Sequence, residues 1–267
     1  KGENIESYST YPDEVGLEKD LEKLIYHQEE PFGSGSIYAQ YCVMKLAKKN
    51  GVTVMQDGQG ADEILGGYLP YYITYLNDLF CSDSKRYKKE IMLYNQLRND
   101  APLMPFEKTE TLRMKLGRYK LLLLPKDSPN GTSSFRKELY KHTLEGPLQE
   151  LLRFADRNSM AHSIETRLPF LSHLLIEFIF TLPDQYLLKG GWTKYILREA
   201  LVDLLPKELT WRIDKIGYAA PQDKWLESNW VADRVSSVKK QLNLDVNSES
   251  LIHNKEWKML MYSYLKD

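Results

Sequence analysis

Gly51-Val52-Thr53-Val54-Met55-Gln56-Asp57-Gly58-Gln59-Gly60-Ala61-Asp62-Glu63-Ile64-Leu65-Gly66-Gly67-Tyr68 is the stretch around which the chain is read. Its opening residues, Gly51 to Val54, are dense in β-branched side chains and predict a short buried strand. Gly58 and Gly60 allow a sharp turn and a close backbone approach to a ligand. Asp62 and Glu63 stand where a helix would begin, and Gly66-Gly67 stops it after about one turn. Asp57, Asp62 and Glu63 thus crowd three carboxylates into one bend, which calls for a cation. Mg²⁺ suits the pattern, because it is held by one or two carboxylates plus substrate phosphates, and the glycines clear a path for phosphate oxygens. The alternative is a solvated helix start whose acids complement the helix dipole.

Working outward, 267 residues allow one large or two smaller domains. A net charge of −1 argues against a nucleic acid or an acidic membrane held by bulk electrostatics. No apolar run approaches the ~20 residues of a membrane span, and Lys1-Gly2-Glu3-Asn4 opens without an apolar signal segment. Cys42 and Cys81 have neither metal-site spacing nor the count of a disulfide scaffold. They read as buried thiols of a protein in reducing cytoplasm.

Upstream of the bend, Gly16 to about Gln28 predicts an amphipathic helix through Leu17, Leu21, Leu24 and Ile25. Ser36 can cap a second, from Ile37 to about Lys49, which Gly51 ends. The Gly33–Ser36 loop could cradle an anion or simply cap that helix. Helix, glycine turn and strand make half of an α/β unit. There is no Gly-x-x-x-x-Gly-Lys-Ser/Thr string, and Glu63 replaces the third glycine of a dinucleotide fingerprint. From Pro70 onward no strand is expected; Tyr71–Phe80, Lys85–Arg98, Lys108–Tyr119 and Arg136–Asp156 read as helices, and Asp127–Ser133 as disorder. The expected division is residues 1–70 as an α/β part carrying the acidic loop, and 71–267 as a helical body.

Two further segments concentrate polar groups. Leu151–Leu171 places Asp156, Arg157, Asn158, His162, Glu165 and Arg167 among residues that should pack, a density that also suits an ion-pair network. Ser172 would cap an apolar core helix to about Leu182, and His162 and His173 read as satisfied structural histidines. Lys194 and Arg198, four apart on a helix starting near Thr193, could face phosphate or water. Arg212-Ile213-Asp214-Lys215-Ile216-Gly217-Tyr218 is a basic loop. Lys224–Asn229 and Asn254–Lys266 read as peripheral helices without chemistry.

The string Asp57–Tyr68 resembles the acidic loop of the asparagine synthetase family, in its ATP-pyrophosphatase-type synthetase domain. Asp156–Leu171 resembles that family's Asp-Arg-x-x-Met-x-x-x-x-Glu-x-Arg-x-Pro-Phe-Leu pattern, and Lys215 stands where the family has a lysine before a Gly-aromatic pair. The resemblance covers most of the chain. It implies a mainly α fold with a small α/β portion, the C-terminal part of an adenine-nucleotide α-hydrolase-like (PP-loop ATPase) synthetase domain truncated at its N-terminus. The implied activity is adenylation of a carboxylate, aspartate first, by ATP with Mg²⁺, then attack by ammonia derived from glutamine. Mapped residue by residue, Asp62 would hold the metal with Glu63 beside it. Gly58, Gly60, Lys194 and Arg198 would meet ATP or pyrophosphate. Lys215 would stabilise charge on the α-phosphate and the tetrahedral intermediate, and Glu165 sits where the β-lactam synthetase branch pairs a glutamate with a tyrosine base.

The departures matter as well. Gln59 stands where asparagine synthetases often carry glutamate; an amide can orient a nucleophile but cannot take its proton. A β-lactam synthetase or peptide cyclase acting on another carboxylate therefore stays open. Neither the family's Ser-Gly-Gly-x-Asp-Ser loop nor an N-terminal glutaminase cysteine occurs. The chain accordingly reads as a C-terminal fragment, inactive by itself, prone to self-association as a homodimer, or else a non-catalytic helical scaffold.

Overall fold

The computed structural model describes residues 5–105, 133–214, 217–218, 220–242 and 255–264. The expected helix over 108–119 and residues 127–132 of the expected disordered stretch lie outside them. The chain forms two compact units, one of residues 1–57, 151–167 and 216–267, the other of 58–150 and 168–215.

The first unit is built on α1 (Glu14–Gln28) and α2 (Ser36–Lys49). Asp13 caps α1 by accepting from the Gly16 amide at 2.7 Å, and Leu17, Leu21, Leu24 and Ile25 bury one stripe of it. The cap expected of Ser36 belongs to its neighbourhood instead. Ser36 is the first helical residue, and its amide donates to Ser34 Oγ at 3.2 Å. β1 (Val54–Gln56) starts later than the expected Gly51–Val54 strand, because the Gly51 and Val52 amides return to the end of α2, on Lys48 and Ala47. Nor is the strand wholly buried, since Val54 is 42% exposed. Its partner β2 (Glu165–Arg167) was not expected from so polar a triplet. It pairs in parallel, with Val54 opposite Glu165 and Gln56 opposite Arg167.

The same unit contains most of a helix over Pro147–Met160 and three C-terminal helices, Gln222–Leu226, Asn229–Gln241 and Lys255–Tyr264. Sequence reading missed the second of these and placed the third at the periphery. The third is not peripheral: Trp257, Leu260 and Met261, spaced three and four apart, are fully buried. They join Leu17, Tyr38, Val231 and Val235 in one core.

The second unit packs α3 (Ala61–Leu65), α4 (Leu69–Ser82), α5 (Ser84–Leu97) and α6 (Ser134–Leu144) around a tyrosine-rich core. Buried phenols need partners, and they have them. Tyr72 donates to Glu90 at 3.1 Å, Arg86 donates to the Tyr75 hydroxyl at 2.8 Å, and Tyr71 bonds His142 at 2.9 Å. The single helix expected over 136–156 is two, divided at Glu145-Gly146-Pro147, where proline lacks the amide to continue. α8 (His173–Thr181, with Pro147–Met160 as α7) is not the core helix its composition suggests. Ile179 alone is buried there, while Leu174 and Phe178 are 67% and 55% exposed. α9 (Tyr195–Ala200) and α10 (Lys207–Thr210) complete the described α-helices of this unit, beside 3-10 turns at Pro169–Leu171 and Asp184–Tyr186.

Candidate active site

The acidic bend opens where β1 ends, the Asp57 amide bonding the Arg167 carbonyl at 2.9 Å. Gly60 is required twice over: its φ of +90° is strained for an L side chain, and a Cβ there would lie 2.2 Å from Leu171. A Cβ on Gly58 would meet open space, so that backbone can be approached. α3 runs a single turn before Gly66, at φ +69°, closes it as expected. The Gly67 amide then bonds the Asp62 carbonyl at 2.8 Å.

The two acids of α3 part company. Glu63 is 2% exposed, and it accepts from the Tyr68 hydroxyl at 2.7 Å. Burial first, and the Glu63 hydrogen bond next, push the Tyr68 phenol well above its usual pKa. Asp62 is partly exposed and pairs with Lys194 Nζ at 2.9 Å. Gly67 makes the space for that pair: a Cβ on it would lie 1.8 Å from Asp62 Oδ1 and 2.4 Å from Lys194 Cε. Asp57, the third acid, keeps one carboxylate oxygen buried without a hydrogen-bond partner, and its charge adds to burial in raising the Tyr218 pKa.

Lys194 is delivered by a loop held from both sides. The Gly191 amide donates to Glu90 at 3.2 Å, and Arg98 donates to the Gly191 carbonyl at 2.8 Å. Gly191, at φ +82°, passes so near Tyr94 that a Cβ would sit 2.8 Å from its backbone. Lys194 itself takes a left-handed φ of +52° as the residue before α9, a conformation rare for a side-chain-bearing residue. The helix therefore begins at Tyr195, two residues after the expected Thr193.

Arg198, expected on phosphate, has main-chain partners instead. Its Nε donates to the Thr193 carbonyl at 2.8 Å, and Nη1 to those of Thr210 and Arg212 at 2.7 and 3.0 Å. The guanidinium also stacks 4.9 Å from the Trp192 ring. Burial, then the nearby Arg98 charge, lowers its pKa. Arg198 thus ties the Lys194 loop to the segment that leads to Lys215, which itself lies outside the described residues. Gln59 is half-buried in the bend.

Glu165 belongs to the first unit, where its exposed carboxylate pairs with Arg167 at 2.7 Å. The surrounding polar block is largely structural. Arg157 pairs with Glu29 at 2.6 Å and Arg153 with Glu30 at 3.3 Å. Asn158, fully buried, accepts from Gln28 at 2.8 Å and donates to Gln40 and the Ile37 carbonyl at 2.9 and 3.0 Å. The His162 ring packs tilted against Tyr41, but its Nε2 is buried without a partner, so it is not the satisfied histidine expected. Burial lowers its pKa to about 4. His173 is exposed. Of the cysteines, Cys42 is buried and Cys81 only partly so.

Among the described residues no cluster of three or more His, Cys, Asp or Glu could hold a metal. Mg²⁺ needs less: one carboxylate and the oxygens of a phosphate suffice. Asp62 fits that arrangement, being partly exposed beside a residue without a side chain. Glu63, turned onto Tyr68, would support α3 rather than ligate. Sequence reasoning missed Tyr68, Glu90 and Arg98. Tyr68 offered only a phenol five residues from a glutamate, and Glu90 and Arg98 stood in the expected helix Lys85–Arg98 with nothing to single them out.

Comparison with known proteins now gives these residues a family. Residues 4–262 match the asparagine synthase family, to which the chain belongs. It is 28% identical to asparagine synthetase [glutamine-hydrolyzing] 1 of Bacillus subtilis, over 79% of this chain and 38% of that protein. A shorter stretch, 38% of the chain and 18% of the relative, is 36% identical to the Gallus gallus asparagine synthetase. Another, 33% of the chain and 15% of the relative, is 40% identical to that of Mus musculus. The chain thus spans less than two-fifths of the curated relatives it matches. No described helix is long and apolar enough to cross a membrane.

Proposed function

We propose that this chain forms part of an ATP-dependent ligase that adenylates a carboxylate, aspartate first among candidates, and lets ammonia from glutamine displace AMP to give an amide. The observation that carries this reading is the Asp62–Lys194 pair set over Gly67 in the acidic bend. It places one carboxylate and one ammonium at an approachable backbone turn, as a metal-bound pyrophosphate requires. Family membership and the relatives' glutamine-hydrolysing names support it.

In this scheme the chain's residues divide the work. Asp62 would hold Mg²⁺, which when bound neutralises phosphate charge. Glu63 fixes α3 through Tyr68, the Gly58 backbone lets the nucleotide approach, and Gly60 shapes the turn beneath Leu171, in a fold of PP-loop ATPase type. Lys194 supplies positive charge to the pyrophosphate. Arg198 acts by fixing the backbone before Lys215, whose ammonium would follow the charge developing at the α-phosphate. Gln59 orients the acceptor, since an amide carries no proton away, and Glu165 remains a candidate base. An acceptor other than aspartate, of the β-lactam synthetase or peptide cyclase kind, is favoured by Gln59 alone.

The test is ATP–pyrophosphate exchange by the complete protein with Mg²⁺ and a panel of carboxylates. Exchange dependent on aspartate supports the first reading; exchange driven by another carboxylate alone supports the second; none with any carboxylate removes both. Lys215→Ala should lose about 3 kcal/mol of transition-state stabilisation in amide formation.

A further inference from the structure

Glu90, a buried carboxylate of α5, and Arg98, the residue capping that helix, close on one backbone unit, Gly191. We propose that they are positioning residues, which aim Lys194 at the pyrophosphate by fixing the turn that carries it. Neither touches phosphate; both act through the main chain. This rests on the reading of Lys194 given above, and adds what holds that lysine in place.

The turn is tight. Lys189 and Trp192 exchange two backbone hydrogen bonds, 3.1 and 3.0 Å, across Gly190-Gly191. Both glycines have positive φ, +61° and +82°, as a two-residue reversal of this kind requires. Its tip is seated on α5, since a Cβ on Gly191 would lie 2.8 Å from the Tyr94 main chain. There the Gly191 amide donates to Glu90 at 3.2 Å, and its carbonyl accepts from Arg98 at 2.8 Å.

Glu90 is 5% exposed, and the same oxygen also accepts from the Tyr72 hydroxyl at 3.1 Å. Taking a carboxylate out of water costs several kcal/mol unless donors are aimed at it. An apolar side chain would fill this core position at lower cost, so packing does not account for an acid there. What the acid adds is an acceptor at the tip of the turn. Arg98 is restrained in its turn by the Tyr94 ring, 4.3 Å from its guanidinium.

Lys194 follows Gly191 by three positions. Around it the chain is fixed a second time, by the Tyr195 amide on the Leu187 carbonyl at 2.9 Å and by Arg198 Nε on the Thr193 carbonyl at 2.8 Å. The strained φ of +52° at Lys194 is held between these anchors. With the upstream one released, the backbone relaxes toward ordinary φ and carries the ammonium off its line to the bend. A misplacement of about 1 Å is enough to weaken a directed contact.

The experiment measures Mg²⁺–pyrophosphate binding to the complete protein by calorimetry, with the urea midpoint of each variant as the check on folding. Lys194→Met should weaken binding about tenfold, the scale of one lost charge-assisted hydrogen bond. Arg98→Met and Glu90→Met should each weaken it about threefold, and Glu90→Gln, which keeps an acceptor, should recover most of the Glu90→Met loss. In the double variant, Arg98→Met added to Lys194→Met should cause no further weakening, because an absent ammonium cannot be misaimed. Arg86→Met, on the same helix but bonded to Tyr75, should bind as wild type.

Folded Arg98→Met and Glu90→Met proteins that bind as wild type, beside a weakened Lys194→Met, overturn the positioning and leave the ligase reading standing. An Arg98→Met loss of the same size in the Lys194→Met background overturns it too, because the clamp then acts elsewhere. So does an equal loss in Arg86→Met, which reduces the effect to a loosened α5. Lys194→Met binding as wild type removes the lysine's phosphate contact from the proposed function, and the positioning with it. Should Glu90→Met not fold, Arg98→Met, at a partly exposed side chain, carries the test by itself.

Discussion

Two polar clusters, one in each unit, use opposite chemistry. Around Asn158 the first unit buries neutral amides that hydrogen-bond one another, with Asn158 making hydrogen bonds to Gln28, Gln40 and the Ile37 carbonyl, while Gln28 Oε1 stays buried without a partner. At the acidic bend the second unit keeps full charges, Asp62 and Lys194, paired at an approachable surface over a glycine. Buried neutral amides stabilise by mutual satisfaction and lose heavily when one is removed. A partly exposed ion pair contributes little to stability, which leaves it able to change partners. Polar density alone therefore does not mark a site; what separates the clusters is that one is made of buried neutral amides and the other of partly exposed charges.

That contrast can be pressed hardest at Asn158. Asn158→Ala strands the Gln28 and Gln40 side chains, and should destabilise the protein by about 3 kcal/mol, read as a lower urea midpoint at unchanged slope. A loss below about 0.5 kcal/mol would mean the amides are not the structural cluster described. Next comes Gly60→Ala, which meets both the positive φ and Leu171. It should lose about 2 kcal/mol by the same measurement.

His162 gives a smaller effect that depends on pH. Its pKa falls to about 4 in the fold through burial, with Lys23 and Lys45 adding to the shift and Asp20 opposing it. The unfolded chain, near the ordinary value of about 6.5, then binds more protons. Its contribution to stability is whole above that value and is lost as pH falls toward about 4, a change on the order of 2 kcal/mol. Stability measured across this window should fall for wild type and flatten for His162→Gln. Smallest of all is Lys194→Met, which should change stability by less than about 1 kcal/mol, however strongly it alters ion binding.

Much of the bend could be read beforehand. The glycine turn, the one-turn helix and its Gly66 stop each follow from a local rule of backbone conformation, whereas the strand starts three residues beyond the beginning of the β-branched run Gly51–Val54. The β1–β2 pairing could not, because Glu165-Thr166-Arg167 is a strand only by virtue of its parallel partner. Nor could the destination of the charges. Arg198 and Lys194 are alike in a sequence, and only packing shows that Arg198 is engaged by three carbonyls while Lys194 reaches a carboxylate. Trp257 misled in the other direction, because a short helix near a chain end looks peripheral until its apolar stripe finds the first unit's core.

The central claim is that the acidic bend grips a metal-bound pyrophosphate through Asp62. The most direct measurement is ATP–pyrophosphate exchange by the complete protein carrying Asp62→Asn, a change that keeps the side chain's shape and removes its charge. Exchange should fall by about a hundredfold or more, with thermal unfolding close to wild type. Exchange within about twofold of wild type, in a folded variant, would contradict the account.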